Sequence, residues 1–271
     1  MGTLHISTGK VSYTEQGQGA PFVLLHANPG SGHDFDAIVL ALAQQYRVIT
    51  IDWPGFGDSD APDAPRAASA MLMADLLEEI VSALRLDSAI FLGNSLGGYA
   101  AARLALSHPE KVQALILVSS GGFTSHTLIS ELFCKVMGTE SMMRRIATHF
   151  ARSYLKVQNA YTTAILERTE ANRRNATQVA MMSAIWRSFA HPDHDLRQRA
   201  KAIHVPTLVV SGRFDPVISS KTDALMTAET IPTARLVIME TGHMPFAEAP
   251  AEFLKVVQPF LAEVSYAPSY A

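Results

Sequence analysis

The stretch Ala89–Ala102 constrains the fold of this chain more than any other. An apolar run of β type, Ala89–Leu92, leads into Gly93–Asn94–Ser95–Leu96–Gly97. A run rich in alanine and leucine leads out, as far as Ser107. G-x-S-x-G between a strand and a helix makes a sharp turn with the serine at its strained apex. Side chains at positions 93 and 97 would collide across so tight a turn, which accounts for both glycines. In such a turn the Ser95 hydroxyl stands clear of the backbone, and the first N–H groups of the helix point towards it. A glycine-rich turn with serine as helix N-cap is the plainer reading of the same residues. Partners elsewhere in the chain decide between the two.

Strand and helix signals alternate on both sides of this stretch. Leu4–Ser7 and Val11–Thr14 read as a hairpin around Gly9–Lys10, and Pro21–His26, Arg47–Asp52 and Val112–Ser119 as buried strands. Asp34–Gln45 and Ala68–Leu84 carry helical periodicity. From Phe123 to Ile203 the β signal disappears, and the pattern is helical, charged and rich in paired methionines. Behind it Thr207–Ser211 and Leu236–Glu240 read as strands, Lys221–Glu229 and Ala251–Glu263 as helices, and the last residues as a loose tail. The prediction is an α/β fold: a doubly wound, mostly parallel sheet built from residues 1–122 and 204–271, with a helical cap inserted at 123–203. The insert is expected at the carboxyl edge of the sheet, where open α/β folds bind ligands. With 271 residues, 48% of them hydrophobic, the chain is long enough for one such core.

A serine hydroxyl is a weak nucleophile at neutral pH and needs a base, and the base needs an acid to orient it. Two strand ends supply candidates. Thr207–Ser211 runs into Gly212–Arg213–Phe214–Asp215–Pro216, and the last strand runs into Thr241–Gly242–His243–Met244–Pro245. The chain order Ser95, Asp215, His243 is the one expected when G-x-S-x-G belongs to a hydrolase. Alone, Asp215 before proline reads as a turn residue, with Asp223 and Glu240 as alternative acids nearby. An oxyanion needs two donors. The Leu96 N–H is the first, and the loop His26–Gly30 supplies the second, from Asn28 in preference to Ala27.

The chain resembles the α/β-hydrolase fold superfamily over nearly its full length. The matching residues are His26–Gly30, Asp52 with Gly55–Ser59, Gly93–Gly98, Gly212–Asp215, and Gly242–His243 with Pro245, Glu248 and Pro250. The resemblance implies Ser95 as nucleophile, His243 as base, Asp215 as acid and 123–203 as cap. Ala27 departs from it, standing where the superfamily more often has glycine, and its methyl group is expected to crowd the oxyanion loop. Dehalogenases and epoxide hydrolases of this fold carry aspartate at the position of Ser95. The expected activity is hydrolysis of a small carboxylic ester or lactone. The alternatives are carbon–carbon hydrolysis of vinylogous diketones, cofactor-free perhydrolysis, and a non-catalytic small-molecule receptor.

Substrate contacts are sought in the cap and beside the histidine. Arg168 is a candidate for a substrate carboxylate, and Met181, Met182, Trp186 and Met244 for an adaptable apolar slot. His191–Pro192–Asp193–His194–Asp195 reads as a solvated loop rather than a metal site, since proline breaks the helix that would align its ligands. No cofactor or metal is expected, and Gly55–Phe56–Gly57 lacks the third glycine of a dinucleotide loop. A net charge of −3 argues against nucleic-acid and anionic-membrane partners. The expected partner is a small molecule, with homo-oligomers left open. Met1–Lys10 has neither the basic start nor the apolar core of a signal sequence, and no apolar run nears the roughly 18–20 residues of a membrane span. The single cysteine, Cys134, fits a reducing compartment. The expectation is a cytoplasmic chain, with Cys134 buried and inert.

Overall fold

The computed structural model describes residues 1–266. Eight strands, β1 (Gly2–Ile6), β2 (Gly9–Gln16), β3 (Ala20–Leu25), β4 (Tyr46–Ile51), β5 (Ala89–Asn94), β6 (Val112–Val118), β7 (Thr207–Gly212) and β8 (Ala234–Met239), form one sheet. Its order is β1-β2-β4-β3-β5-β6-β7-β8, antiparallel at β1–β2 and β2–β4 and parallel from β4 onward. Ten helices accompany it among the described residues: α1 (Asp36–Leu42), α2 (Ala70–Ala83), α3 (Leu96–Ser107), α4 (Leu128–Met137), α5 (Glu140–Tyr154), α6 (Ala160–Asn172), α7 (Ala176–Ser188), α8 (Asp223–Thr230), α9 (Pro245–Glu248) and α10 (Pro250–Tyr266).

Strand periodicity sorts the core into two layers. Val23 and Leu25 of β3, Phe91 of β5 and Leu115 and Leu117 of β6 join α2 and α3 on one face. Phe22 and Leu24, Ile90 and Leu92, and Ala114 and Ile116 join α1 and α10 on the other. Both faces are covered, so β5 and β7 are buried along their whole length and read as unbroken apolar runs.

Several element bounds differ from the sequence reading. The helix expected over Asp34–Gln45 starts only at Asp36, behind a 3-10 turn at Gly32–Phe35. Asp34 is occupied elsewhere, accepting from the Ser31 N–H and from Arg168. β8 begins two residues earlier than expected and is half-exposed, being the last strand at its edge. α10 continues past the expected end at Glu263; residues 267–271 of the expected tail lie outside the described residues. Between β6 and β7 there is no strand, and α4–α7 occupy the interval. No helix among the described residues is long and apolar enough to cross a membrane.

Candidate active site

The turn after β5 is as tight as its glycines require. A Cβ at Gly93 would fall into the Gly97 carbonyl group, and one at Gly97 into the Leu25 carbonyl of β3. Ser95 at the apex has φ 52° and ψ −108°, a left-handed backbone that a side chain rarely adopts. Main-chain bonds hold it there: its N–H donates to Val118 O, and its carbonyl accepts from Tyr99 and Gly121, all at 3.0 Å. The strain is over-determined by neighbouring strands and α3, which is how such a conformation persists.

His243 and Asp215 leave adjacent strands, β8 and β7, and meet in the interior. Asp215 Oδ2 lies 2.6 Å from His243 Nδ1, with both side chains almost fully buried. Asp215 Oδ1 accepts from the Val217 and Ile218 N–H groups at 2.8 and 3.1 Å, which fixes the carboxylate plane. An acceptor oxygen at Nδ1 places the proton on that nitrogen and leaves Nε2 with its lone pair. The histidine loop is tied to the serine turn by Asn94, whose Nδ2 donates to His243 O and Val118 O. Asp223 accepts instead from the Ser219 N–H, and Glu240 pairs with Arg213 at the surface. Ser95 Oγ makes no hydrogen bond to a described residue. Nucleophile–base contacts of this kind commonly tighten only with substrate in place.

The loop after β3 leaves the sheet beside the same turn, since Leu25 pairs with Gly93. His26 is locked in it. Its Nε2 accepts from the Trp53 N–H at 3.0 Å, and its Nδ1–H donates to Ala27 O at 2.7 Å. Burial depresses its basicity, and the ring is neutral. Neither the Asn28 N–H nor the Leu96 N–H meets an acceptor among the described residues. Ala27 keeps a negative φ, since the left-handed non-glycine residues described are Arg85, Ser95 and Ser119. The loop therefore takes alanine without backbone strain.

A cavity of about 120 Å³ opens at Ser95, walled by Gly121, Phe133, Trp186, Phe189 and His194 among others, and its wall is mostly apolar. The model of the alpha/beta hydrolase fold matches residues 20–250. The chain belongs to the alpha/beta hydrolase fold family. A pimeloyl-(acyl-carrier protein) methyl ester esterase of Aeromonas hydrophila is 32% identical over 259 residues, 93% of this hydrolase and 99% of that protein. The 2-hydroxymuconate semialdehyde hydrolase of Pseudomonas sp. strain CF600 is 30% identical over 260 residues, 93% and 90% of the two chains. Among solved structures, Est816, described as an N-acyl homoserine lactone degrading enzyme, superposes with a TM-score of 0.79 at 26% identity over 96% and 100% of the chains.

Of the substrate contacts expected in this hydrolase, the cavity is lined by Trp186 but not by the others. Arg168 lies away from this cavity. Its guanidinium is 2.9 Å from the buried Asp34 carboxylate and also donates to His33 O, which fastens α6 to the turn at Gly32–Phe35. Met181, Met182 and Met244 are buried in the two cores; the Met182 carbonyl accepts from Asn28 Nδ2 at 3.1 Å. The expected solvated loop at 191–195 is only half so. His191 and Asp193 face solvent, whereas His194 turns inward between Tyr99 and Phe189, with ring centroids at 4.5 and 4.9 Å. Cys134 is half-buried in the cavity wall, and burial pushes its thiol up to about 11, which keeps it protonated. No cluster of metal-ligating side chains occurs among the described residues.

Two residues were not found by sequence reasoning. Tyr154 at the end of α5 stands edge-on to His243, ring centroids 5.2 Å apart. Burial, then the Asp34 and Asp215 charges, push its phenol well above the usual range. Glu248, to which the family resemblance gives no role, accepts four backbone N–H groups. Oε2 takes those of Lys156, Val157 and Gly242, and Oε1 that of Met244. The spacing of Glu248 from His243 was visible in sequence; its partners at 156 and 157 were not.

Proposed function

We propose that this hydrolase cleaves a small carboxylic ester or lactone through an acyl-enzyme on Ser95, under the helical segment 123–203 acting as a cap. The buried His243–Asp215 pair, tied by Asn94 to the strained serine turn, carries the reading. His243 Nε2 takes the Ser95 proton as Oγ attacks the ester carbonyl. The Leu96 and Asn28 N–H groups receive the developing oxyanion. The intermediate collapses to the acyl-enzyme as His243 hands the proton to the departing alcohol. Water, deprotonated by the same nitrogen, then releases the acid. Asp215 stays ionised throughout, holding the ring and stabilising the imidazolium. The apolar cavity suits a short acyl or alcohol group and offers no free guanidinium. The ester named for the Aeromonas relative supports the same class.

Carbon–carbon hydrolysis is the second reading, favoured by the 30% identity to the semialdehyde hydrolase. A carboxylate-bearing dienoate calls for a cationic contact, and Arg168, the candidate for it, is bound to Asp34. A fluorophosphonate probe tests the first reading. Ser95 should displace fluoride and carry the adduct on peptide mapping, and His243→Gln should slow labelling by orders of magnitude. A folded sample without an adduct on Ser95 sinks the proposal. A 2-hydroxy-6-oxo-dienoate turned over more than tenfold better than any small ester would move it to the second reading.

A further inference from the structure

We infer that His194 is a specificity-determining residue, its Nε2 accepting a hydrogen bond from a hydroxyl or N–H group on the acyl part of the substrate; the inference rests on Ser95 being the nucleophile of an ester hydrolase. His194 lines the same cavity as Ser95 and Gly121. Its Nε2–Cε1 edge faces Gly121. A Cβ there would sit 3.2 Å from Nε2 and 3.5 Å from both Cε1 and Ser95 O. Gly121 in turn donates to Ser95 O at 3.0 Å. The edge of the ring therefore lies in the wall beside the nucleophile's own main chain.

Nε2 is buried and has no hydrogen-bond partner. The residue as a whole is 7% exposed. A buried polar atom left without a partner is destabilising, and native proteins keep few of them. Packing does not explain this one. The ring is stacked between Tyr99 and Phe189, and a phenylalanine would fill the same slot with no polar atom to satisfy. The chemistry of the ring narrows its role. Burial, and then the neighbouring His126, push its basicity down to about 3, so it is neutral at any working pH and is not a cationic anchor. A neutral imidazole has one N–H. The Phe189 main chain acts on the ring in the sense that favours protonation. The proposal places the single hydrogen on Nδ1, which leaves Nε2 as a lone pair. It recognises a donor, and a substrate bearing only ether or carbonyl oxygens cannot satisfy it. A site of this kind rejects the analogue that lacks its donor more strongly than an apolar slot rejects a missing methylene.

The experiment compares kcat/KM for methyl butyrate, methyl 2-hydroxybutyrate, methyl 3-hydroxybutyrate and methyl 3-methoxybutyrate by pH-stat. Wild type is expected to favour at least one hydroxy ester about tenfold or more over both methyl butyrate and the methoxy ester. His194→Phe, which keeps the stacking, should bring that ratio to within about twofold of one. His194→Leu is read in the same way should the phenylalanine variant not fold. Wild-type hydrolysis without preference for a hydroxy ester overturns the inference alone. So does a preference that survives in a folded variant, or a folded variant that hydrolyses none of the esters. Failure of wild type to hydrolyse any of the four overturns the ester-hydrolase reading and this inference with it.

Discussion

Asp215 serves His243 with one oxygen and its own loop with the other, and that double duty makes the site sensitive to a single atom. In Asp215→Asn the amide oxygen can satisfy the Val217 and Ile218 N–H groups only by turning its NH₂ onto His243 Nδ1. The imidazole must then hold its proton on Nε2, where it cannot accept from Ser95. The expected loss in kcat is on the order of 10³ to 10⁴ with the fold retained; a drop below about tenfold, measured on any turned-over ester, would show that another carboxylate orients the base. Arg168→Ala probes a different kind of pair. It leaves the buried Asp34 carboxylate without its cation, so stability should fall by about 2–4 kcal/mol in denaturant unfolding. Selectivity between carboxylate-bearing and neutral esters should not change, and a selective loss of the former would restore Arg168 as a ligand contact. The positions of Ser95, Asp215 and His243 were legible because each follows a strand end that the apolar runs announce. The role of Arg168 was not, because its partner stands 134 residues away in the chain and no periodicity links them.

At the scale of elements, the end of α5 and the loop from β8 to α9 behave as one piece. His243 N–H donates to Tyr154 O at 2.9 Å, Glu248 gathers N–H groups from both segments, and Asn159 Nδ2 donates to Ala247 O and Glu248 O. Helices α5 and α6 are thus pinned to the loop that carries His243, and not merely laid over it. Glu248→Ala would strand four buried or half-buried donors, at a cost of about 3–5 kcal/mol. Glu248→Gln keeps one acceptor oxygen but turns an NH₂ towards donors, so it should lie between wild type and alanine in unfolding free energy. In both variants kcat should fall more than KM rises, since the displaced group is His243, the proposed base, and not the cavity wall. Unchanged kcat in a folded Glu248→Ala protein would contradict this. The sheet and its flanking helices were readable from period and run length. The docking of α4–α7 was not, because amphipathic helices state that they have an inner face without stating which neighbour covers it.

At the scale of the whole molecule, burial lowers the basicity of His26 and His194, and both contribute to its response to acid. Burial holds His194 near 3 and depresses His26 in the same direction. In the unfolded chain both take up protons below about pH 6.5. Between that value and the folded-state value the unfolded chain binds more protons, so stability is complete above about pH 6.5 and is lost as pH falls towards 3. Asp34 acts with the opposite sign. Burial raises its carboxyl against the pull of Arg168, so its contribution is full below the unfolded value and declines as pH rises through the folded one. Between pH 7 and pH 5 the histidine effect is a loss of stability, because the unfolded chain takes up the protons that the buried rings refuse. For His194 alone it amounts to about 2 kcal/mol over those two units. Chemical unfolding of wild type and His194→Phe at pH 7 and pH 5 isolates it, because every other titrating group is common to both. The phenylalanine variant should lose about 2 kcal/mol less than wild type on acidification, and it should already be the more stable protein at pH 7 if the unpaired Nε2 is a burden. Equal losses in the two proteins would mean that His194 charges in the folded state and that its ring is not sealed between Tyr99 and Phe189.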